Sequence, residues 1–150
     1  MLQLAEEVFS TRTDPNQLDV DDEVMEKLEK IHPNSLSSHI DGDGPVVWIL
    51  LIPTTIEIMQ RFLKKEISEK ELFNLTQAGQ GYEAIYFCSA LVLPEFRKKG
   101  LAFKTAIDAI IKIRADHPIK NIFAWSFSKE GAELARRISL EIGIPVQFRV

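Results

Sequence analysis

Tyr82-Glu83-Ala84-Ile85-Tyr86-Phe87-Cys88-Ser89-Ala90-Leu91-Val92-Leu93-Pro94-Glu95-Phe96-Arg97-Lys98-Lys99-Gly100-Leu101-Ala102-Phe103-Lys104 is a near-continuous apolar run, a turn with a proline, a basic turn with one glycine, and the start of a long apolar-polar repeat. This order predicts a buried strand that delivers the chain straight to a helix start. The first N–H groups of a helix have no acceptor within it, so such a junction suits an anion.

Downstream, Lys104, Asp108, Lys112 and Asp116 form one polar stripe of the predicted helix, while Phe103, Ala106, Ile107, Ile110 and Ile111 cover the rest. A wide apolar face with one wet stripe suits a helix lying on a sheet. His117-Pro118 ends it, and residues 119–127 read as another apolar strand. Ser128 is placed to cap a last helix with Ala135, Ile138 and Ile142 on one face, and with Glu133 and Arg137 paired on the other. Gly143 supplies its stop, and Val146, Phe148 and Val150 alternate with polar residues as in a half-exposed strand.

Upstream, residues 46–52 form an uninterrupted apolar strand, preceded by the turn Asp41-Gly42-Asp43-Gly44-Pro45 and a short strand within 34–40. Thr54 with Glu57, and Ser68 with Glu71, have capping-box spacing. They open helices over 55–64, with Met59, Phe62 and Leu63, and over 69–76, with Leu72, Phe73 and Leu75. Gly79-Gln80-Gly81 ends the second of these. Leu2, Ala5, Val8 and Phe9 have helical spacing, and residues 11–17 read as a loop. Asp19-Val20-Asp21-Asp22 then caps a helix with Val24, Leu28 and Ile31, which must stop at His32 because Pro33 follows. The acidity of this region reads as a solvated helix face.

A chain of 150 residues, 45% apolar and 27% charged, has the size and balance of one globular domain. With no repeat or linker, the expectation is a single α/β (α+β) domain over residues 1–150. The single cysteine, Cys88, excludes an intramolecular disulfide framework and a cysteine-based zinc site. A net charge of −4 argues against a nucleic-acid surface. The start of the chain lacks the basic region of a signal peptide, and the 46–52 run is too short to span a bilayer. A cytoplasmic protein is expected.

Val92-Leu93-Pro94-Glu95-Phe96-Arg97-Lys98-Lys99-Gly100-Leu101-Ala102 resembles the acetyl-CoA-binding motif of the GNAT superfamily of N-acetyltransferases. That motif has a strand ending in Val-x-Pro, an aromatic residue, Arg/Gln-x-x-Gly-x-Gly/Ala, and then a helix. The resemblance extends over residues 82–150 and is loose before them. It implies a GNAT-like fold, a central mixed β-sheet flanked by helices. It also implies acetyl-CoA as acyl donor, no metal, and a small-molecule or peptide amine as acceptor. Gly100 would let phosphate oxygens approach the backbone, and Ala102 would keep the next approach small. Arg97, Lys98, Lys99 and Lys104 would add positive charge, while Leu101 and Phe103 complete the first turn. Backbone at Leu91, Val92 and Leu93 would meet the pantetheine amides where the strand splays from its neighbour.

The implied reaction is direct attack by an amine on a thioester, which needs alignment, a proton acceptor and stabilisation of the leaving thiolate. The family's glutamate position on the motif strand holds Tyr86, and Glu83, three residues earlier, points to the opposite face of a regular strand. Tyr86 reads equally as a cleft hydroxyl and as a core aromatic. The family's tyrosine in the last helix is replaced by Ser139, and its asparagine by Ala132, for which Ser126 or Ser128 would substitute. Cys88 reads as a buried small hydrophobe, and no pair among His32, His39 and His117 has metal-ligand spacing. A non-catalytic acyl-CoA-binding or protein-interaction module on the same fold is the alternative. The two helices predicted between residues 52 and 82 depart from the family's run of strands, as does the single final strand. Either the chain is a shortened member with an acceptor pocket walled by those helices, or a partner copy completes the sheet in a homodimer.

Overall fold

The computed structural model describes residues 22–42, 44–96, 100–125 and 129–149. The expected helix at 1–9, the loop at 11–17, and Arg97, Lys98, Lys99, Ser126 and Ser128 lie outside them. The described elements are α1 (Asp22–Ile31), β1 (Leu36–Asp41), β2 (Gly44–Thr54), α2 (Ile56–Leu63), α3 (Glu69–Leu75), β3 (Ala84–Val92), a 3-10 turn (Pro94–Phe96), α4 (Leu101–Asp116), β4 (Asn121–Ala124), α5 (Lys129–Ile142) and β5 (Val146–Phe148). The fold is α+β, with five helices among the described residues and a five-stranded mixed sheet in the order β1-β2-β3-β4-β5. The first two pairings are antiparallel, and β3-β4 and β4-β5 are parallel.

β2 is the spine. Its residues from Val46 to Thr54 are buried, as an apolar run with neighbours on both sides requires. Pro53 is tolerated because β1 stops pairing at Leu36–Leu50, so that among the described residues only β3 pairs with β2 there. Facing β2, β3 carries one extra residue. Leu50 lies opposite Ser89 and Leu51 opposite Phe87, which leaves Cys88 as a β-bulge. A bulge is set by the partner strand's register, and no residue in β3 announces it.

α4 buries Thr105, Ala106, Ala109, Ile110 and Ile113. Ile111, expected among the covering residues, is exposed, because one residue beyond Ile110 turns the helix by about 100° away from the sheet. Ser68 and Glu71 form the expected reciprocal capping box of α3. The other cap is shifted by one residue. Thr55 rather than Thr54 caps α2, accepting from the Ile58 N–H, because the buried Thr54 hydroxyl is taken by Thr76 Oγ1 at 2.7 Å. Arg137 lies over the Phe103 ring, 4.6 Å from its centroid, and so packs α5 against α4. Among the described residues no helix is long and apolar enough to cross a membrane.

Candidate functional site at the parting of two parallel strands

Among the described residues the parallel ladder between β3 and β4 runs from Ala84–Asn121 to Phe87–Ala124. β3 continues to Val92, held on its other side by β2 as far as Val47–Val92 and then by the Leu93 N–H on Val46 O. Leu91, Val92 and Leu93 are half-buried along this length. Beyond Phe87 the described partner of this strand is β2. Five residues, 88 to 92, span about 16 Å.

β3 leads through the 3-10 turn to Gly100, the N-cap of α4, with φ +73° and ψ +11°. A Cβ here would meet nothing within 4 Å, so glycine is needed for its left-handed backbone and not for a close approach inside the chain. Gly100 has no side chain with which to cap this helix start, and its first turn contains no acidic residue. Leu101, Ala102 and Phe103 are half-buried there, and Lys104 is exposed. The N–H groups of this turn, with the dipole behind them, form a site whose chemistry fits a phosphate or pyrophosphate.

Around the last described rungs of the β3–β4 ladder lies a buried polar cluster. The Tyr86 hydroxyl donates to Glu69 Oε1 at 2.8 Å, and the Cys88 thiol lies 3.3 Å from the same oxygen. Tyr86 also stacks in the core, 4.9 Å from Phe62 and 5.1 Å from Phe123 between ring centroids. It is thus both the core aromatic and the hydroxyl donor that its sequence position allowed. Cys88 is correspondingly more than a small hydrophobe, because its sulfur has a carboxylate neighbour. Beside this cluster the Arg149 guanidinium lies over Phe62 and Trp125, at 4.5 and 4.7 Å from the ring centroids, and donates to Ile67 O at 3.1 Å.

The other two catalytic candidates are not brought to this point. Glu83 precedes Ala84 at the far end of β3, about 16 Å of strand from Cys88. Its carboxylate is 3.6 Å from Lys120 Nζ in an exposed ion pair. Ser139 stands in the last turn of α5, and its hydroxyl donates to Ile144 O. Its role is to close the α5–β5 turn.

Glu69 was missed in the sequence because an acidic residue in a first helical turn is what the dipole favours on any exposed helix. The available signal was its spacing. Glu69, Leu72 and Phe73 fall at i, i+3 and i+4 and are the three buried residues of α3. Among the described residues no group of three His, Cys, Asp or Glu side chains is arranged to hold a metal ion. No family model, curated protein or solved structure matches the chain.

Proposed function

We propose that this chain is a GNAT-like acyltransferase that moves an acetyl group from acetyl-CoA to an amine by direct attack. The observation that carries this reading is a central strand, β3, whose described ladder with β4 ends at Phe87–Ala124 and which leads through a 3-10 turn to a helix start at Gly100. Parted strand edges and helix N-termini are two separate sources of backbone donors and acceptors. A strand edge and a helix start met in succession along the chain suit a ligand with a phosphate at one end and an amide-bearing arm. The first turn of α4 would hold the phosphates, and the 88–92 edge would hold the arm. Acetyl-CoA supplies the activated acyl group as a thioester. The chain supplies alignment, exclusion of water and a proton acceptor.

Isothermal titration with acetyl-CoA tests the reading, together with Gly100→Glu, which places a carboxylate at the proposed phosphate site. Binding by the native chain and loss in the variant are expected. No heat from the native chain, or equal binding by both, refutes the assignment. A second reading, an acyl-CoA-binding module without turnover, is favoured by the placement of Glu83 and Ser139 away from the parted strands. Release of free thiol from acetyl-CoA in the presence of amines separates the two.

A further inference from the structure

β3, β4 and β5 run parallel, and ligands of open sheets built this way gather outside the carboxyl ends of the strands. Arg149 stands at that end of β5, one residue past Phe148. Its backbone N–H donates to Ala124 O at 2.8 Å, which carries the β4–β5 ladder one step further. Side chains alternate along a strand, so Arg149 and Phe148 lie on opposite faces of the sheet. The Phe148 ring is met by Arg136 of α5, and α5 packs on α4 through Arg137 and Phe103. The Arg149 guanidinium instead lies against Phe62 of α2. Arg149 is thus on the face of the sheet opposite α4.

Two rings steady the guanidinium, with its Cζ 4.5 Å from the Phe62 centroid and 4.7 Å from that of Trp125. Aromatic faces offset the cost of taking a cation partly out of water, but they offer no oxygen to its N–H groups. A guanidinium has five N–H donors, and Nη1 uses one on Ile67 O at 3.1 Å. Among the described residues no carboxylate pairs with Arg149. The residue is half-buried, so water reaches part of it. Tying β5 to the α2–α3 turn needs a single donor, which lysine also has. A fork of donors steadied by two rings is what recognises a planar oxyanion.

We infer that Arg149 binds the carboxylate of a small-molecule ligand. Under the acyl-transfer reading above, on which this step rests, the acceptor is an amine that carries a carboxylate. A carboxylate brings one negative charge and two coplanar oxygens to one guanidinium. An acceptor held there lies across the sheet from the proposed phosphate site, so the two reactants reach the ends of β3 and β4 from separate faces.

The test follows the Arg149 Nε–H resonance of the 15N-labelled chain, assigned by its loss in Arg149→Lys, while glycine, β-alanine and 4-aminobutyrate are added, each beside its amide. A saturable shift with at least one amino acid, and none with its amide, is expected. Arg149→Lys keeps the charge but not the fork, and should weaken that binding about 10- to 100-fold, read from backbone amide shifts that also report the fold. No shift with any of these amino acids, equal shifts with the amides, or a shift with inorganic phosphate alone overturns the assignment. Calorimetry with CoA is read separately. Amino-acid binding without CoA binding leaves the carboxylate site and refutes the acyl-transfer reading. CoA binding without amino-acid binding refutes the site and leaves that reading. Where both bind, thiol release from acetyl-CoA is expected with the bound amino acid, and Arg149→Lys should raise its KM about 10-fold or more while kcat stays close to the native value. An unchanged KM, or no thiol release, overturns the acceptor role.

Discussion

His32 Nε2 lies 2.7 Å from Asp116 Oδ2, joining the turn after α1 to the last residue of α4. Nδ1 of the same ring accepts the Asn34 N–H at 3.0 Å, so Nε2 is the nitrogen that donates to the carboxylate. One corner of the molecule is thereby closed around two histidines, because the His117 ring is 6.0 Å from His32 and 4.7 Å from Tyr82.

This corner makes stability depend on pH. Burial holds the pKa of His117 below the ordinary histidine value, the nearby His32 pushes it the same way, and Asp116 opposes both. The folded chain therefore binds fewer protons here than the unfolded chain. The stability that His117 contributes is complete above about pH 6.5 and is lost as the pH falls from there toward its folded pKa. Urea midpoints at about pH 7.5 and about pH 5.5 are expected to fall in that order, with a smaller difference in His117→Gln. An equal difference in both proteins would assign the effect to other groups.

Ser68 accepts the Glu71 N–H at 3.1 Å, and Glu71 Oε1 accepts the Ser68 N–H at 3.0 Å. Ser68→Ala should cost about 1 kcal/mol by urea denaturation, the usual value of an N-cap side chain.

Gly100 tests backbone strain separately from charge. With φ +73° and open space at the Cβ position, Gly100→Ala should cost about 1–2 kcal/mol through its left-handed backbone alone. Gly100→Asn should cost less, since asparagine visits that region more readily. Equal losses would mean that the local backbone is not what requires glycine.

Lys65 is the one non-glycine residue with positive φ among the described residues, at 65°. It follows the C-cap of α2, where its N–H donates to Phe62 O at 3.0 Å and the Glu66 N–H donates to Arg61 O at 2.9 Å, a Schellman pattern. Lys65→Gly should raise the melting temperature, with a gain of about 0.5–1 kcal/mol, because glycine relieves the Cβ strain that lysine carries there. A lower melting temperature would show that the lost side chain mattered more.

Most elements could be read from residue order because each rests on local signals. The apolar run at 46–52, the Ser68–Glu71 box, the proline after His117 and the alternation at 146–148 all act within a few residues of where they are written. The site was less legible. The bulge at Cys88 depends on which residue of β2 stands opposite, and the burial of Glu69 depends on α3 folding back against β3. The cap of α2 moved to Thr55 because Thr54 found a partner 22 residues away. Glu83 drew attention through proximity in sequence to Tyr86, whereas Glu69, 17 residues from Tyr86, reaches its hydroxyl.

The strand order β1-β2-β3-β4-β5 repeats the order of synthesis. Each strand can pair with one already made, and no strand waits for a later one to be slotted between it and its predecessor. Emerging N-terminus first, the chain can lengthen its sheet one edge at a time, with β2 available as a template when β3 arrives. Pulse-labelled hydrogen exchange during refolding should accordingly protect the β2–β3 amides no later than those of β4 and β5. Earlier protection of β5 would exclude this route.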